Sequence, residues 1–262
     1  MAYQYALYEK KGKIAYITIN RPDVMNAVHP PLSAELWEIW SDFRDDPNVW
    51  VAILTGAGDR AFSAGNDLKY AASRAGDAGA QLAPNPGGFG GITAEFECWK
   101  PMIAALNGLA LGGGLEMALA CDIIIAAEHA RLGLPEPTVG FMAAAGGVHR
   151  LPRMIPQKIA LGMLLTGKPI TAQEAYRLGL VNEVVPADQL MATAERWAND
   201  ILQCAPISVR ASKQAAMLGL RMPLDEALKA DFELVKAWRT SEDLREGPLA
   251  FAQKRKPEWK GR

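Results

Sequence analysis

The N-terminal part of the chain alternates between strand-like and helix-like hydrophobic patterns. The runs at 14–19 and 49–55 are rich in β-branched and aromatic residues, which is typical of strands. Between them, apolar residues recur at helical spacing from Pro31 to Phe43. The chain is therefore predicted to begin with a strand, a helix and a second strand.

The same order returns after Pro101. A continuous apolar run at 102–106 predicts a buried strand, glycines at 112–114 open a predicted helix that continues through Cys121, and another apolar run follows at 123–127. Strands that are apolar at every position are typical of sheets covered on both faces. The pattern predicts a layered α/β fold.

The character of the chain changes after residue 155, where helical patterns dominate. We expect a core at 1–200 that carries the site and a C-terminal helical region at 201–262. A stretch rich in glycine, alanine and proline at 72–92 is predicted to be a mobile loop that covers a site. Helices are predicted at 158–165, 172–177, 189–203, 207–218 and 224–240.

Composition narrows the classes of protein that remain. Half of the 262 residues are hydrophobic, enough for a large core, and the formal charge of -1 provides no field to attract nucleic acid or an acidic membrane. No apolar run is long enough to span a bilayer and the start does not resemble a signal peptide, so we expect a cytoplasmic protein. Cys98, Cys121 and Cys204 form no CxxC pair and the histidines add no ligand spacing, so we expect reduced thiols and no metal site.

The segment 112–121 is the most informative for chemistry. Glycines at the start of a helix let backbone N–H groups approach a ligand closely, and the helix dipole favours negative charge there, although glycines also serve tight helix packing. Glu116 lies in an otherwise apolar helix, where an unpaired carboxylate is costly. It is either an acid/base whose pKa is raised by an apolar pocket or a structural carboxylate paired with an arginine or a backbone donor.

A second carboxylate, Glu136, stands between Pro135 and Pro137 in a segment that is hydrophobic for a surface loop. The prolines restrain the backbone and hence the position of this carboxyl. Two carboxylates at one site can hold different protonation states, as acid/base chemistry requires. An ordinary loop or capping carboxylate is the alternative, and only tertiary structure could bring Glu136 to Glu116.

A further stretch, 56–61, follows a predicted strand and fits the G-x-G-x-x-A pattern of dinucleotide-binding enzymes. That pattern should open a helix, whereas this chain runs into another glycine turn at 62–66. A nicotinamide-dependent dehydrogenase is therefore kept only as a rival hypothesis. Within 61–69, Asn66 or Asp67 is the expected cap of a short helix.

Together these segments resemble the crotonase superfamily, the enoyl-CoA hydratases and isomerases, over nearly the whole chain. The resemblance implies a crotonase-like spiral of ββα turns with a C-terminal helical region that mediates trimer contacts, commonly in a dimer of trimers. It is carried by Asn20-Arg21-Pro22 with Asn26-Ala27, Ser63-Ala64-Gly65-Asn66-Asp67, Gly112-Gly113-Gly114-Leu115-Glu116, and Pro135-Glu136 followed by Gly146-Gly147.

The resemblance also implies catalytic roles. The N–H groups of Asn66 and Gly113 would form an oxyanion hole for a thioester oxygen. Glu116 and Glu136 would be the acid/base pair of a hydratase, one activating water for attack at C3 and the other handling the proton at C2. No separate cofactor is implied, because coenzyme A is part of the substrate.

Residues that bind the coenzyme A moiety are implied in the same way, and two of them would reach its nucleotide part from a neighbouring subunit. A solvated basic tail is the alternative interpretation of the second group. The implied positions are Ala64, Asp67, Leu68 and Lys69 in the first group, and Phe251 and Lys254 in the second.

Within the superfamily, the stretches 241–243, 247–251 and 259–262, together with Phe89-Gly90-Gly91, resemble carnitinyl-CoA dehydratases. Ala144 lies eight residues past Glu136, where simple hydratases have glycine and the carnitinyl enzymes or aspartate-dependent relatives have aspartate. Alanine cannot act as a nucleophile or an acid. Dehalogenase and aspartate-dependent isomerase chemistry are therefore disfavoured.

The resulting hypothesis is an enoyl-CoA hydratase that adds water reversibly, in the syn sense, to a 2-enoyl-CoA. Carnitinyl-CoA dehydratase and enoyl-CoA isomerase activities are the alternatives within the superfamily. An alternative of another class is a catalytically silent acyl-CoA- or RNA-binding member. The presence of both glutamates and the lack of a basic, aromatic-rich stripe disfavour it, and no nucleic acid or membrane partner is expected.

Overall fold

The computed structural model describes residues 3–73, 85–94 and 96–262, and its strands form two sheets. The strands are β1 (Ala6–Lys11), β2 (Ile14–Ile19), β3 (Val51–Gly56), β4 (Ala61–Ser63), β5 (Met102–Leu106), β6 (Leu109–Leu111), β7 (Ile123–Ala127), β8 (Arg131–Gly133), β9 (Ile170–Thr171) and β10 (Glu183–Val185). The larger sheet has the order β1-β2-β3-β5-β7-β10, and the smaller sheet has the order β4-β6-β8-β9.

Successive stretches of chain visit the two sheets in turn. The pairs β3 and β4, β5 and β6, and β7 and β8 each place one strand in the larger sheet and the next in the smaller one. Equivalent strands of successive turns are parallel. Only β1 with β2 and β8 with β9 pair in the antiparallel sense within the described residues. This repetition is the predicted spiral of ββα turns, and the α/β fold class is confirmed.

Eleven α-helices and four short 3₁₀ helices complete the described part of the chain. The 3₁₀ helices are Pro22–Val24, Phe89–Gly91, Glu136–Val139 and Ala187–Gln189. The α-helices are α1 (Pro30–Asp45), α2 (Leu68–Ser73), α3 (Gly113–Ala120), α4 (Gly147–Met154), α5 (Gln157–Thr166), α6 (Ala172–Arg177), α7 (Leu190–Leu202), α8 (Pro206–Gly219), α9 (Leu224–Ala227), α10 (Glu233–Thr240) and α11 (Glu242–Ala252). None of the described helices is long and apolar enough to cross a membrane.

The strands of the larger sheet are buried on both faces because different layers cover them. In β5, Ile103 and Ala105 pack in one hydrophobic cluster with α7. Met102, Ala104 and Leu106 belong to the other cluster, which includes residues of α1 and α3. This double coverage explains why the sequence of β5 is apolar at every position.

Two sequence predictions are corrected by the structure. The single helix predicted at 224–240 is two helices, α9 and α10, separated by residues 228–232. Leu224 and Leu228, whose spacing indicated one helix, are 74% and 78% exposed in the single chain. In the stretch predicted as a mobile loop, residues 74–84 lie outside the described residues. From Gly87 to Ile92 the chain is packed, with Gly87, Gly90 and Gly91 buried.

Candidate active site

The predicted catalytic residues follow three neighbouring parallel strands of the smaller sheet. Asn66 comes shortly after β4, Glu116 lies in α3 after β6, and Glu136 begins a 3₁₀ helix after β8. Since the carboxyl ends of adjacent parallel strands meet at one edge of a sheet, ligands of such sheets bind beyond that edge. The sheet register thus brings together segments that are distant in sequence.

The backbones that precede Asn66 and Gly113 are in contact. Gly65 has a φ of 86°, and a Cβ on it would lie 2.9 Å from the Gly113 nitrogen and 2.7 Å from the Leu111 carbonyl oxygen. Only glycine allows this approach. Gly113 is the first residue of α3, where N–H groups lack intrahelical partners. Within the described residues, neither the Asn66 nor the Gly113 N–H donates a hydrogen bond to another backbone group.

Hydrogen bonds on both sides of Asn66 fix its backbone. The N–H of Val28 donates to the Gly65 carbonyl at 2.8 Å, and the N–H of Asp67 donates to the Val28 carbonyl at 3.0 Å. Val28 therefore bonds to the residues before and after Asn66, and the Asn66 N–H makes no backbone hydrogen bond within the described residues. The Ser63 hydroxyl donates to the Asn26 carbonyl at 2.8 Å and ties β4 to the same turn.

The Asn26 side chain explains one of the sequence signatures. Asn26 is fully buried with a φ of 55°, and its Oδ1 accepts the Arg21 N–H at 2.9 Å. Its Nδ2 donates to the carbonyls of Ala57 and Ala61 at 2.9 and 2.7 Å. The amide group therefore holds the turn against β4, which in turn positions Asn66.

Glu116 is 3% exposed, and its Oε1 accepts the N–H of Gly147 at 2.8 Å. Gly147 is the first residue of α4, so the carboxylate faces a helix N-terminus. Burial raises the pKa of Glu116 to about 7, and repulsion from Glu136 acts in the same direction. The Gly147 N–H and the Arg150 guanidinium act in the opposite direction. Glu116 thus has a backbone donor and also a pKa suited to proton transfer near neutral pH.

Glu136 is half-buried and does not cap the 3₁₀ helix that it begins. Its Oε1 lies 3.2 Å from the position of a Cβ on Gly112, beside the start of α3. Its Oε2 is buried without a hydrogen-bond partner in the described part of the chain. Burial raises the pKa of this carboxyl. A buried oxygen of this kind requires a proton, a water or a ligand as its partner.

The implied coenzyme A residues of the first group surround Asn66 along the chain. Ala64 is half-buried, whereas Leu68 and Lys69 are exposed. Asp67 is the cap that the sequence predicted, because its Oδ1 accepts the Tyr70 N–H at 3.0 Å. Its Oδ2 pairs with Arg21 at 2.9 Å. The Asp67 carboxylate is therefore already occupied within the chain.

The second group lies at the end of α11. Phe251 is 87% exposed, and Lys254 is exposed with a φ of 52°. An aromatic side chain this exposed fits a contact with another molecule. Their role in binding coenzyme A stays a prediction.

The sequence did not reveal the roles of two residues of the site. Gly147 was noted only as part of a signature, yet its N–H is the donor to Glu116. Phe89 was noted only as part of a resemblance, yet a Cβ on Gly113 would be closer than 3.0 Å to three atoms of its ring. The sequence signals that could have indicated these roles were the paired glycines at the start of α4 and the glycine cluster around Phe89.

The dinucleotide pattern does not form the fingerprint of a dehydrogenase. Residues 56–61 lead from β3 through a turn into β4, whereas the fingerprint opens a helix. Among the residues that the structure describes, no group of three or more His, Cys, Asp or Glu side chains could hold a metal ion.

Comparisons with known proteins first define the class of fold. The structure superposes on the crystal structure of an enoyl-CoA hydratase from Mycobacterium tuberculosis H37Rv with a TM-score of 0.91, at 37% identity over 98% of this chain and 99% of that one. A putative short chain enoyl-CoA hydratase from Novosphingobium aromaticivorans gives a TM-score of 0.89 at 36% identity, with 98% of each chain covered. The fold is that of the crotonase superfamily.

Sequence comparisons then define the family. The family model for enoyl-CoA hydratase/isomerase matches residues 9–262. The chain is 44% identical over 261 residues to the (E)-benzylidenesuccinyl-CoA hydratase of Thauera aromatica, covering 97% of this chain and 98% of that one. It is 45% identical over 258 residues to the carnitinyl-CoA dehydratase of Escherichia coli K12, covering 97% of both. The chain belongs to the enoyl-CoA hydratase/isomerase family and is an enzyme of the hydro-lyase type.

Proposed function

We propose that this enzyme adds water reversibly, with syn stereochemistry, across the double bond of a 2-enoyl-CoA. The proposal is supported by Glu136, whose Oε1 lies beside Gly112 at the start of α3, by its electrostatic interaction with the buried Glu116, and by the N–H groups of Asn66 and Gly113, which make no backbone hydrogen bond within the described residues. Membership of the hydratase family supports it independently.

The two N–H groups act on the thioester carbonyl. Attack of water at C3 moves negative charge through C2 onto the thioester oxygen, which accepts hydrogen bonds from Asn66 and Gly113. The positive end of the α3 dipole adds to this stabilisation. In a hydrolase, one such donor contributes about 2.7–4 kcal/mol to the transition state.

The two carboxyls divide the proton transfers. One of them, ionised, accepts a proton from the water that attacks C3, and the other, protonated, donates a proton to C2. Burial raises the pKa of both carboxyls, and repulsion from Glu136 raises that of Glu116 further, which favours a protonated Glu116 beside an ionised neighbour. Dehydration follows the same path in reverse.

The coenzyme A moiety supplies binding energy away from the reaction centre. Ala64, Leu68 and Lys69 would contact it, a role supported by their closeness to Asn66 in the chain, and Asp67 fixes the start of α2. Phe251 and Lys254 would contribute from a neighbouring subunit of a homotrimer or a dimer of trimers. The reaction proposed here requires no separate cofactor.

The proposal is tested by changing each carboxyl to an amide of the same shape. Glu116→Gln and Glu136→Gln are each expected to lower kcat for hydration of crotonyl-CoA by about 10²- to 10⁴-fold, since each removes one proton-transfer group. The affinity for free coenzyme A, measured by calorimetry, is expected to stay within about twofold of the wild-type value, a change below about 0.5 kcal/mol.

The matched control is Glu226→Gln on the exposed surface of α9. It makes the same chemical change away from the site, and its kcat is expected to equal that of the wild type. Unchanged activity in both site variants would contradict the proposal.

A carnitinyl-CoA dehydratase is the second candidate, favoured by the 45% identity to the Escherichia coli enzyme. Ala144 is exposed and provides no carboxylate at the position where those enzymes carry aspartate. Comparing kcat/KM for crotonobetainyl-CoA and crotonyl-CoA separates the two candidates. A preference for crotonobetainyl-CoA would establish the second.

A further inference from the structure

Phe89 lies against the proposed oxyanion hole. A Cβ on Gly113 would be closer than 3.0 Å to three atoms of the Phe89 ring, so the ring edge contacts the residue whose N–H is proposed to bind the thioester oxygen. Phe89 is only half-buried, unlike Phe43 and Phe62, which are 0% exposed in the core. Phe89 therefore combines contact with Gly113 with partial exposure.

The residues around Phe89 are glycines in positions that disfavour any side chain. Gly88, Gly90 and Gly91 have φ values of 72°, 62° and 80°, a region that favours glycine. A Cβ on Gly88 would lie 2.7 Å from the Ala94 Cβ, and one on Gly91 would lie 2.9 Å from the Trp37 Cα. Added Cβ atoms on Gly87 and Gly90 would also collide, with the Gly91 carbonyl and the Met117 sulfur respectively.

Hydrogen bonds hold this segment in place. The hydroxyl of Thr93, which is 5% exposed, donates to the Phe89 carbonyl at 3.1 Å. The N–H of Gly91 donates to the Gly88 carbonyl at 3.0 Å, and the N–H of Ala94 donates to the Gly87 carbonyl at 2.9 Å. The backbone on both sides of Phe89 is therefore held by hydrogen bonds, and the ring contacts α3 at Gly113.

We propose that Phe89 is a specificity-determining residue that forms the wall of the acyl site next to the oxyanion hole. The inference rests on the proposed function, because it requires an acyl-CoA thioester at Asn66 and Gly113. An oxygen bound at the Gly113 N–H lies about 3 Å from its nitrogen, and the Phe89 ring contacts the same residue, which brings the first acyl carbons into the neighbourhood of the ring. A flat, apolar acyl group would pack against this ring.

Binding of an unreactive thioester tests the wall without depending on turnover. Butyryl-CoA and free coenzyme A are titrated by calorimetry into the full-length wild type and Phe89→Ala. Loss of the ring is expected to weaken butyryl-CoA about tenfold, because apolar contact with the acyl chain is lost. The affinity for free coenzyme A is expected to change less than about twofold.

Phe96→Ala is the matched control. Phe96 is also a half-buried phenylalanine, and its ring packs on Trp37 and Trp40 at centroid distances of 6.2 and 6.1 Å. Its removal is expected to lower Tm while leaving the ratio of the two affinities at the wild-type value. If circular dichroism shows that Phe89→Ala is not folded, the same two affinities are measured for Phe89→Leu. Leucine fills much of the space but lacks the flat ring.

Equal loss of affinity for both ligands, or a loss for neither, would overturn the inference. Its failure is distinguishable from failure of the proposed function. If the wild type hydrates crotonyl-CoA but Phe89→Ala keeps the wild-type ratio of affinities, the role of Phe89 is rejected and the hydratase function stands. If the wild type is inactive on crotonyl-CoA but Phe89→Ala changes the ratio, the role of Phe89 stands and the hydratase function is rejected.

Discussion

At the scale of single residues, Glu116 serves the proposed reaction at a cost in stability. Its carboxyl is removed from water, and one N–H donor and a nearby guanidinium only partly replace the lost hydration. The charged form is therefore disfavoured in the folded protein. The same environment that gives the carboxyl a pKa near neutrality destabilises the folded protein when this carboxyl is charged.

Glu116→Gln is expected to remove a pH-dependent loss of stability. Because the folded pKa of about 7 is higher than the ordinary value of 4.5, the folded state binds this proton more tightly than the unfolded state. The contribution of Glu116 to the free energy of unfolding is therefore fully present below the ordinary pKa of 4.5. It is lost as pH rises through the folded pKa of about 7. The loss is at most about 3 kcal/mol, from about 1.36 kcal/mol per pKa unit.

Urea unfolding of wild type and Glu116→Gln at several pH values between those two pKa values measures this difference. The variant is expected to gain stability relative to wild type as pH rises, while Glu226→Gln follows the wild-type curve. A difference that stays constant across the range would show that Glu116 has an ordinary pKa in the folded state.

At the scale of elements, the start of α2 sets the position of the Asn66 backbone. Asp67 caps this helix through the Tyr70 N–H and also pairs with Arg21, which in turn donates to the Ala27 carbonyl. One carboxylate therefore connects the helix to the turn that precedes α1. The arrangement explains why Asn20-Arg21-Pro22 and Ser63-Ala64-Gly65-Asn66-Asp67 occur together in the sequence.

Two substitutions of Asp67 separate the cap from the ion pair. Asp67→Asn keeps a capping oxygen and loses the charge, whereas Asp67→Ala loses both. We expect Asp67→Ala to be less stable than Asp67→Asn by about 1 kcal/mol, the usual contribution of an N-cap. Both are expected to be less stable than wild type, because Arg21 is left partly buried without its partner. Equal unfolding free energies for the two variants would mean that the cap bond contributes nothing.

At the scale of the whole molecule, the C-terminal tail is anchored. The N–H groups of Lys260 and Gly261 donate to the two carboxylate oxygens of Asp243, at 2.7 and 2.9 Å, and Asp243 is 2% exposed. The Trp259 indole donates to the Gln203 carbonyl at 2.8 Å. Residues 259–261 thus tie α11 to the end of α7, while the basic side chains of Lys254, Arg255, Lys256 and Lys260 are exposed.

The C-terminal helices carry apolar side chains that the single chain leaves exposed, which supports the predicted trimer. Leu220, Leu224 and Leu228 are 82%, 74% and 78% exposed. We expect light scattering after size exclusion to give three or six times the chain mass of 28.3 kDa. Leu224→Asp combined with Leu228→Asp is expected to reduce that mass, because buried charges oppose association.

Lys229→Asp is the control for this experiment. It changes an exposed side chain in the same segment without removing an apolar contact. Its assembly is expected to match that of the wild type. A wild type that elutes with the mass of one chain would contradict the predicted trimer.

The sequence by itself determined the elements whose hydrophobic patterns are long and local. The strands predicted at 14–19, 102–106 and 123–127 agree with β2, β5 and β7 to the residue. The short strands β4, β6 and β8 were missed, because three residues are too few to display a period. Helix α11 was also missed, since Pro248 lies within it and only Asp243 and Ala250 are buried.

The chemistry of the site was readable in its residue types but not in their arrangement. Glycines at a helix start and a carboxylate in an apolar helix are local signals, so Gly113 and Glu116 were found from sequence. The nearness of Asn66, Glu116 and Glu136 depends on β4, β6 and β8 lying side by side, which is a non-local pairing. The pKa of Glu116 and the contact of Phe89 with Gly113 likewise depend on burial and packing, and these exist only once the chain has folded.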